Sequence, residues 1–90
     1  METFHYVVEG KVQKVGYRFY VGYRLDKLGL KGSIKNLDNG DVEVFLQGDR
    51  EKIFIGEKYL RMGTPLSKVE NVKKDIVEKE EFFKFNIEYS

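Results

Sequence analysis

At 90 residues the chain has room for one domain with a modest core, to which 7 Phe and 6 Tyr can contribute much of the volume. There is no cysteine, which excludes disulfides and thiolate–metal sites, and 16 basic residues nearly balance 15 acidic ones, so no overall charge draws the chain to nucleic acid or membranes. No apolar run is long enough to span a bilayer, and Met1-Glu2-Thr3-Phe4-His5 lacks the basic-then-apolar pattern of a secretory signal, so the expected location is the cytoplasm.

Residues 3–12 alternate as a strand does, with Phe4, Tyr6 and Val8 on one face and His5, Val7 and Glu9 on the other. Gly10 interrupts it near its end, where a close approach of another backbone accounts for a missing side chain. Residues 18–28 read as a helix because Val21, Leu25 and Leu28 recur at i, i+4 and i+7, and Gly29 follows as a C-terminal cap. A second strand spans 30–37. Asp38-Asn39-Gly40 is a hairpin turn, since Asn and Gly tolerate positive φ, and 41–47 form the third strand with Val42, Val44 and Leu46 on one face. Asp49 is placed to cap a second helix that runs to about Met62, carries Ile53, Gly56 and Leu60 on one side, and stops at Gly63-Thr64-Pro65. Two final strands, 68–77 and 84–89, flank the polar turn Glu78-Lys79-Glu80-Glu81. The order β-α-β-β-α-β with one extra C-terminal strand predicts a single ferredoxin-like α+β domain over 1–90, a split βαβ sandwich with both helices on one face of an antiparallel sheet.

The segment Gly10-Lys11-Val12-Gln13-Lys14-Val15-Gly16-Tyr17-Arg18 carries the chemistry. A turn that opens directly into a helix presents unpaired backbone N–H groups at the positive end of the helix dipole, a ready seat for phosphate. Arg18 falls in the first helical turn, where a guanidinium fork can grip two phosphate oxygens. In the predicted topology the first two strands run the same way with the third between them, so Asn36, near the end of the second strand, shares a sheet edge with this turn. Two strand spacings, roughly 10 Å, separate them, enough for a phosphate and a water. An Asn both donates and accepts hydrogen bonds, so it can orient a water without being an acid or a base.

These residues resemble the acylphosphatase family. Gly10-x-Val12-Gln13-x-Val15-x-Tyr17-Arg18 is similar to the family's phosphate-loop signature; Gly32-x-x-Lys35-Asn36-x-x-x-Gly40-x-Val42-Glu43, with Gly48 beyond, is similar to its second signature; Gly63-x-Pro65 followed by Val69 is similar to its usual helix exit. The resemblance spans essentially the whole chain. It implies an enzyme that hydrolyses small-molecule acyl phosphates to a carboxylate and inorganic phosphate, without metal or other cofactor. It further implies that Arg18 binds the phosphoryl group, that Asn36 positions the attacking water, and that the backbone of Lys14, Val15, Gly16, Tyr17 and Arg18 forms the phosphate cradle. Neither nucleic acid nor membrane enters as a partner, and a monomer is the simplest expectation.

Four positions depart from the family pattern. Lys14 stands where Gly is usual, so either it bears the cost of a positive φ or its ammonium adds attraction for phosphate. Tyr17 replaces Phe and adds a hydroxyl; Ser33 and Ile34 alter packing along the second strand. Two other readings remain open. A non-catalytic relative could keep the cradle as a phosphate or acyl-phosphate binding module. An RNA-binding module of the same fold needs a basic, aromatic third strand, whereas Asp41-Val42-Glu43-Val44-Phe45-Leu46 is acidic. His5, mid-strand, reads as a packed side chain, and Phe4, Tyr6, Phe19, Tyr20, Tyr23, Phe45, Phe54, Tyr59, Phe82, Phe83 and Phe85 read as core and core rim.

Overall fold

Alternating burial in the first and third strands and i, i+4 burial in the helices organise the chain as expected. The computed structural model describes residues 2–89, with β1 (Thr3–Lys11), α1 (Tyr17–Lys27), β2 (Lys31–Asn36), β3 (Val42–Gln47), α2 (Arg50–Met62), β4 (Lys68–Val77) and β5 (Phe85–Glu88). The sheet order is β4-β1-β3-β2-β5. β3 is antiparallel to both of its neighbours, which leaves β1 and β2 parallel with β3 between them. Gly10 sits beside a register shift between β1 and β4, where a Cβ would collide with the Lys68 carbonyl.

The expected all-antiparallel sheet is corrected at its far edge. β5 pairs parallel with β2, so the sheet is mixed. Because β4 is antiparallel to β1, and β1 is parallel to β2, one reversal after β4 leaves the chain running in the direction of β2. Residues 78–84 are therefore not a hairpin turn but a crossing past the end of the sheet. Gln47, buried at the end of β3, fastens it: its amide donates to the Glu80 carbonyl and the Thr3 hydroxyl, and its oxygen accepts from the Phe82 N–H.

Both helices cover the same face. Gly22 of α1 lies against Ile34 and Ile87, and Gly56 of α2 lies against Leu30, Leu25 and Leu46. Ile34 pairs with Val44, and Val44 and Leu46 share a face of β3. Phe4, Tyr6, Val8, Val42, Val44, Leu46 and Ile34 from the sheet meet Val21, Leu25, Ile53 and Leu60 from the helices in one buried cluster. Each fully buried Val, Leu or Ile contributes about 1.5–3 kcal/mol. α1 ends as its sequence predicts: the Gly29 N–H reaches the Asp26 carbonyl and the Leu30 N–H the Leu25 carbonyl, with Gly29 at φ 93°.

Within this core the Tyr6 hydroxyl donates to Glu57 Oε2 at 2.6 Å, and Lys74 Nζ lies 2.6 Å from the same oxygen. Burial pushes Tyr6 up, reinforced by the Glu57 carboxylate. Burial also tends to raise Glu57, but the hydrogen bonds from Lys74 and Tyr6 outweigh it and hold the carboxyl below its ordinary range. A depressed folded carboxyl stabilises fully above its unfolded value, near 4.5, and ceases to as pH falls through the folded value. A raised folded phenol stabilises fully below its unfolded value, 10.0, and ceases to as pH rises through the folded one. The melting temperature of the wild type is expected to fall on both flanks. Glu57→Gln should be less stable at neutral pH and show a shallower acid flank; an unchanged acid flank contradicts a role for this cluster.

Candidate active site

The cradle is built where β1 hands over to α1. Gly16 is the N-cap residue of α1 at φ 76° and ψ 10°, and Lys14 is the one non-glycine residue at positive φ among the described residues, at 62°. These two left-handed positions fold the turn back on itself. Among the described residues, the N–H groups of Lys14, Val15, Gly16, Tyr17 and Arg18 find no acceptor, and no side chain caps the helix. Clustered free amides at a helix N-terminus are an anion seat. The first turn of α1 carries no acidic residue to oppose an anion there.

Three anchors hold the turn. Gln13 Nε2 donates to the carbonyls of Leu37 at 2.7 Å and Asp41 at 2.8 Å, tying the turn to the β2–β3 hairpin. Thr64 Oγ1 donates to the Val15 carbonyl at 3.1 Å, and the Tyr17 hydroxyl donates to the Leu60 carbonyl at 2.7 Å. Tyr17 is fully buried, and burial pushes its phenol well up, so it remains a neutral donor. Only its backbone N–H is available to the cradle. The Tyr17 hydroxyl is thus a strut between the turn and the C-terminal end of α2. Gln13 and Thr64 were not among the sequence-predicted site residues. Gln13 lies inside the first motif, but its partners sit 24 and 28 positions away in the chain.

The topology brings Arg18 and Asn36 to one level. Gly22 of α1 packs against Ile34 of β2. Arg18 precedes Gly22 by one helical turn, about 6 Å, on the same helix face. Asn36 follows Ile34 by two strand residues, about 6.6 Å, on the same sheet face. Because α1 runs back along the sheet, both steps lead toward the cradle. Arg18 is half-buried; its Nη1 donates to the Glu88 carbonyl at 2.8 Å, and its guanidinium lies 4.6 Å from the centre of the Tyr89 ring. Both contacts come from the end of β5 and fix the guanidinium while leaving further N–H groups free. Asn36 Oδ1 is buried without a hydrogen-bond partner. A buried unpaired amide oxygen costs about 1–3 kcal/mol, and such groups mark places where something other than stability is served.

Lys14 is exposed, so its ammonium is free to approach an anion at the rim. Its observed φ makes the strain concrete, because a side-chain-bearing residue in the left-handed region loses roughly 1–2 kcal/mol. Lys14→Gly should relieve this strain, less the added freedom of glycine in the unfolded chain, for a net gain of roughly 1 kcal/mol and a few degrees in Tm. An unchanged or lower Tm contradicts the strain.

A ferredoxin-like sandwich with free amides and a pinned guanidinium at the first β–α turn defines a phosphate-handling class of this fold. The chain belongs to the acylphosphatase family, whose family model, described as Acylphosphatase, matches residues 4–87. An acylphosphatase of Bacillus licheniformis is 39% identical over 90 residues, covering 99% of this chain and 100% of the relative. One from Vibrio parahaemolyticus is 42% identical over 82 residues, covering 91% of each. The crystal structure of acylphosphatase from Bacillus subtilis superposes with a TM-score of 0.92 at 32% identity, covering 99% of this chain and 100% of that one.

Proposed function

We propose that this protein hydrolyses acyl phosphates by seating the phosphoryl group in the cradle of residues 14–18, gripping it with Arg18 and aiming a water at it from Asn36. Family membership supports the activity, and the arrangement of free amides, guanidinium and unpaired Asn36 Oδ1 at one level supports the residue roles.

The reaction asks little of the protein beyond position and charge. A carboxylate is a good leaving group, and phosphoryl transfer depends mainly on in-line geometry and stabilisation of the equatorial oxygens. Five amides and a forked guanidinium supply that stabilisation. Asn36 Oδ1 accepts a hydrogen bond from the water and aligns it opposite the departing carboxylate. The water oxygen bonds to phosphorus as the bond between phosphorus and the acyl oxygen breaks. The electron pair leaves with the carboxylate, and the water's proton passes to a phosphoryl oxygen, giving inorganic phosphate. The substrate's own phosphate thus serves as base.

The single observation that carries these roles is the buried, unpartnered Asn36 oxygen beside an anion seat. Continuous assay of benzoyl phosphate with the purified chain is the test. Saturable turnover with phosphate release is expected. Tight phosphate binding without turnover would assign the cradle to a non-catalytic binding module instead.

A further inference from the structure

The helix layer faces outward in a way that hydrolysis of a small anhydride does not require. Phe19, Tyr20 and Tyr23 of α1, and Phe54, Tyr59 and Phe83, were expected in the core or its rim. The structure instead leaves Phe19 62% exposed and Phe54 60%, with Tyr20 and Tyr23 also exposed, while Phe83, 96% exposed, lies off the helices in the connection between β4 and β5. Ile55 and Met62 join them on α2. On a helical wheel Phe19 and Tyr23 lie opposite the buried stripe of Val21 and Leu25, and Ile55 and Met62 lie opposite Ile53 and Leu60.

Charge is segregated in the same way. The two helices hold 7 Lys and Arg against 3 Asp and Glu, so the remainder of the chain holds 9 against 12. The near-neutral total conceals basic helices, with the acidic excess carried by the loops rather than by the strands. The cations lie among the rings: Arg24 is 4.6 Å from the Tyr59 ring centre, Lys27 5.7 Å from that of Tyr23, and Lys58 4.7 Å from that of Phe54. Between the helices Tyr23, Tyr59 and Leu28 line a groove rimmed by Arg24 and Lys27.

We infer that the outer face of α1 and α2 docks on an anionic lipid surface, with Arg24, Lys27 and Lys58 at the headgroups and Phe54, Ile55, Met62 and Tyr23 entering the boundary with the acyl chains. Apolar side chains interleaved with cations on one broad helical face are the pattern of an interfacial membrane contact. No described helix is long and apolar enough to cross a membrane, and this contact requires none. A second copy of the chain is disfavoured as occupant, because a two-fold contact would set this basic face against itself. Single-stranded nucleic acid is disfavoured because Tyr23, Phe54 and Tyr59 each already have a cation over the ring, and because Ile55 and Met62 offer no stacking surface.

The test is co-sedimentation with vesicles of mixed phosphatidylserine and phosphatidylcholine, against vesicles of phosphatidylcholine alone. Binding to the anionic vesicles that weakens with salt is expected. Arg24→Glu/Lys27→Glu and Phe54→Ser/Ile55→Ser should each weaken it by about tenfold or more, the first through charge and the second through buried apolar area. Both variants should still turn over benzoyl phosphate, which shows them folded, because none of these residues contacts the cradle. Three results would overturn the inference: no binding of the wild type to anionic vesicles, binding unaltered in both variants, or binding of single-stranded RNA or self-association through this face in place of vesicle binding.

Discussion

Arg18→Ala is expected to lose turnover of benzoyl phosphate by on the order of 10³-fold or more, with phosphate affinity falling as well. The guanidinium is held at the cradle by the Glu88 carbonyl and the Tyr89 ring. A single preorganised donor is worth on the order of 10²–10³ in rate, and a charged fork serving developing charge on phosphoryl oxygens is worth more. Arg18→Lys should recover little, because an ammonium cannot hold two oxygens in a plane. Stability should barely change, since among the described residues the Arg18 side chain makes one hydrogen bond, and it is exposed. Near-wild-type kcat/KM in Arg18→Ala would remove Arg18 from the site.

Asn36→Ala should divide the kinetics differently. Its kcat is expected to fall by on the order of 10²-fold, the cost of a misplaced nucleophile, while the Kd for inorganic phosphate stays within about twofold of wild type. The two variants thus separate phosphoryl binding from water positioning. Stability gives an independent readout. Asn36 Oδ1 is buried and unpaired, so its removal takes away a desolvated group at no loss of an internal hydrogen bond from that oxygen. Asn36→Ala should therefore melt no lower than wild type. Asn36→Asp should weaken phosphate binding through repulsion of like charges. Unimpaired kcat in Asn36→Ala would contradict the assignment.

Much of the fold was legible because local signals agreed with one another. Phe4, Tyr6 and Val8 alternate, Val21 and Leu25 recur at helical spacing, and Asn39-Gly40 and Gly29 stop their elements where expected. The direction of β5 was not legible, because it depends on the path of residues 78–84, and that path is set by the buried Gln47 rather than by any local pattern. Arg18 and Asn36 stood out through motif and topology together. The struts of the cradle did not: Thr64 and the Tyr17 hydroxyl bond to backbone carbonyls 49 and 43 positions distant, contacts that leave no periodic trace. Composition was also silent on one point. A net charge of +1 says nothing about where the charges lie, and here the helices are basic while the rest of the chain is acidic.

The proposed mechanism requires above all that the amides of residues 14–18 close around a tetrahedral anion beside Arg18. Titration of 15N-labelled protein with inorganic phosphate, followed by amide NMR, tests this most directly. Saturable shifts concentrated at Lys14, Val15, Gly16, Tyr17 and Arg18, abolished in Arg18→Ala, are predicted. Shifts spread evenly over the surface, or centred elsewhere, would contradict it.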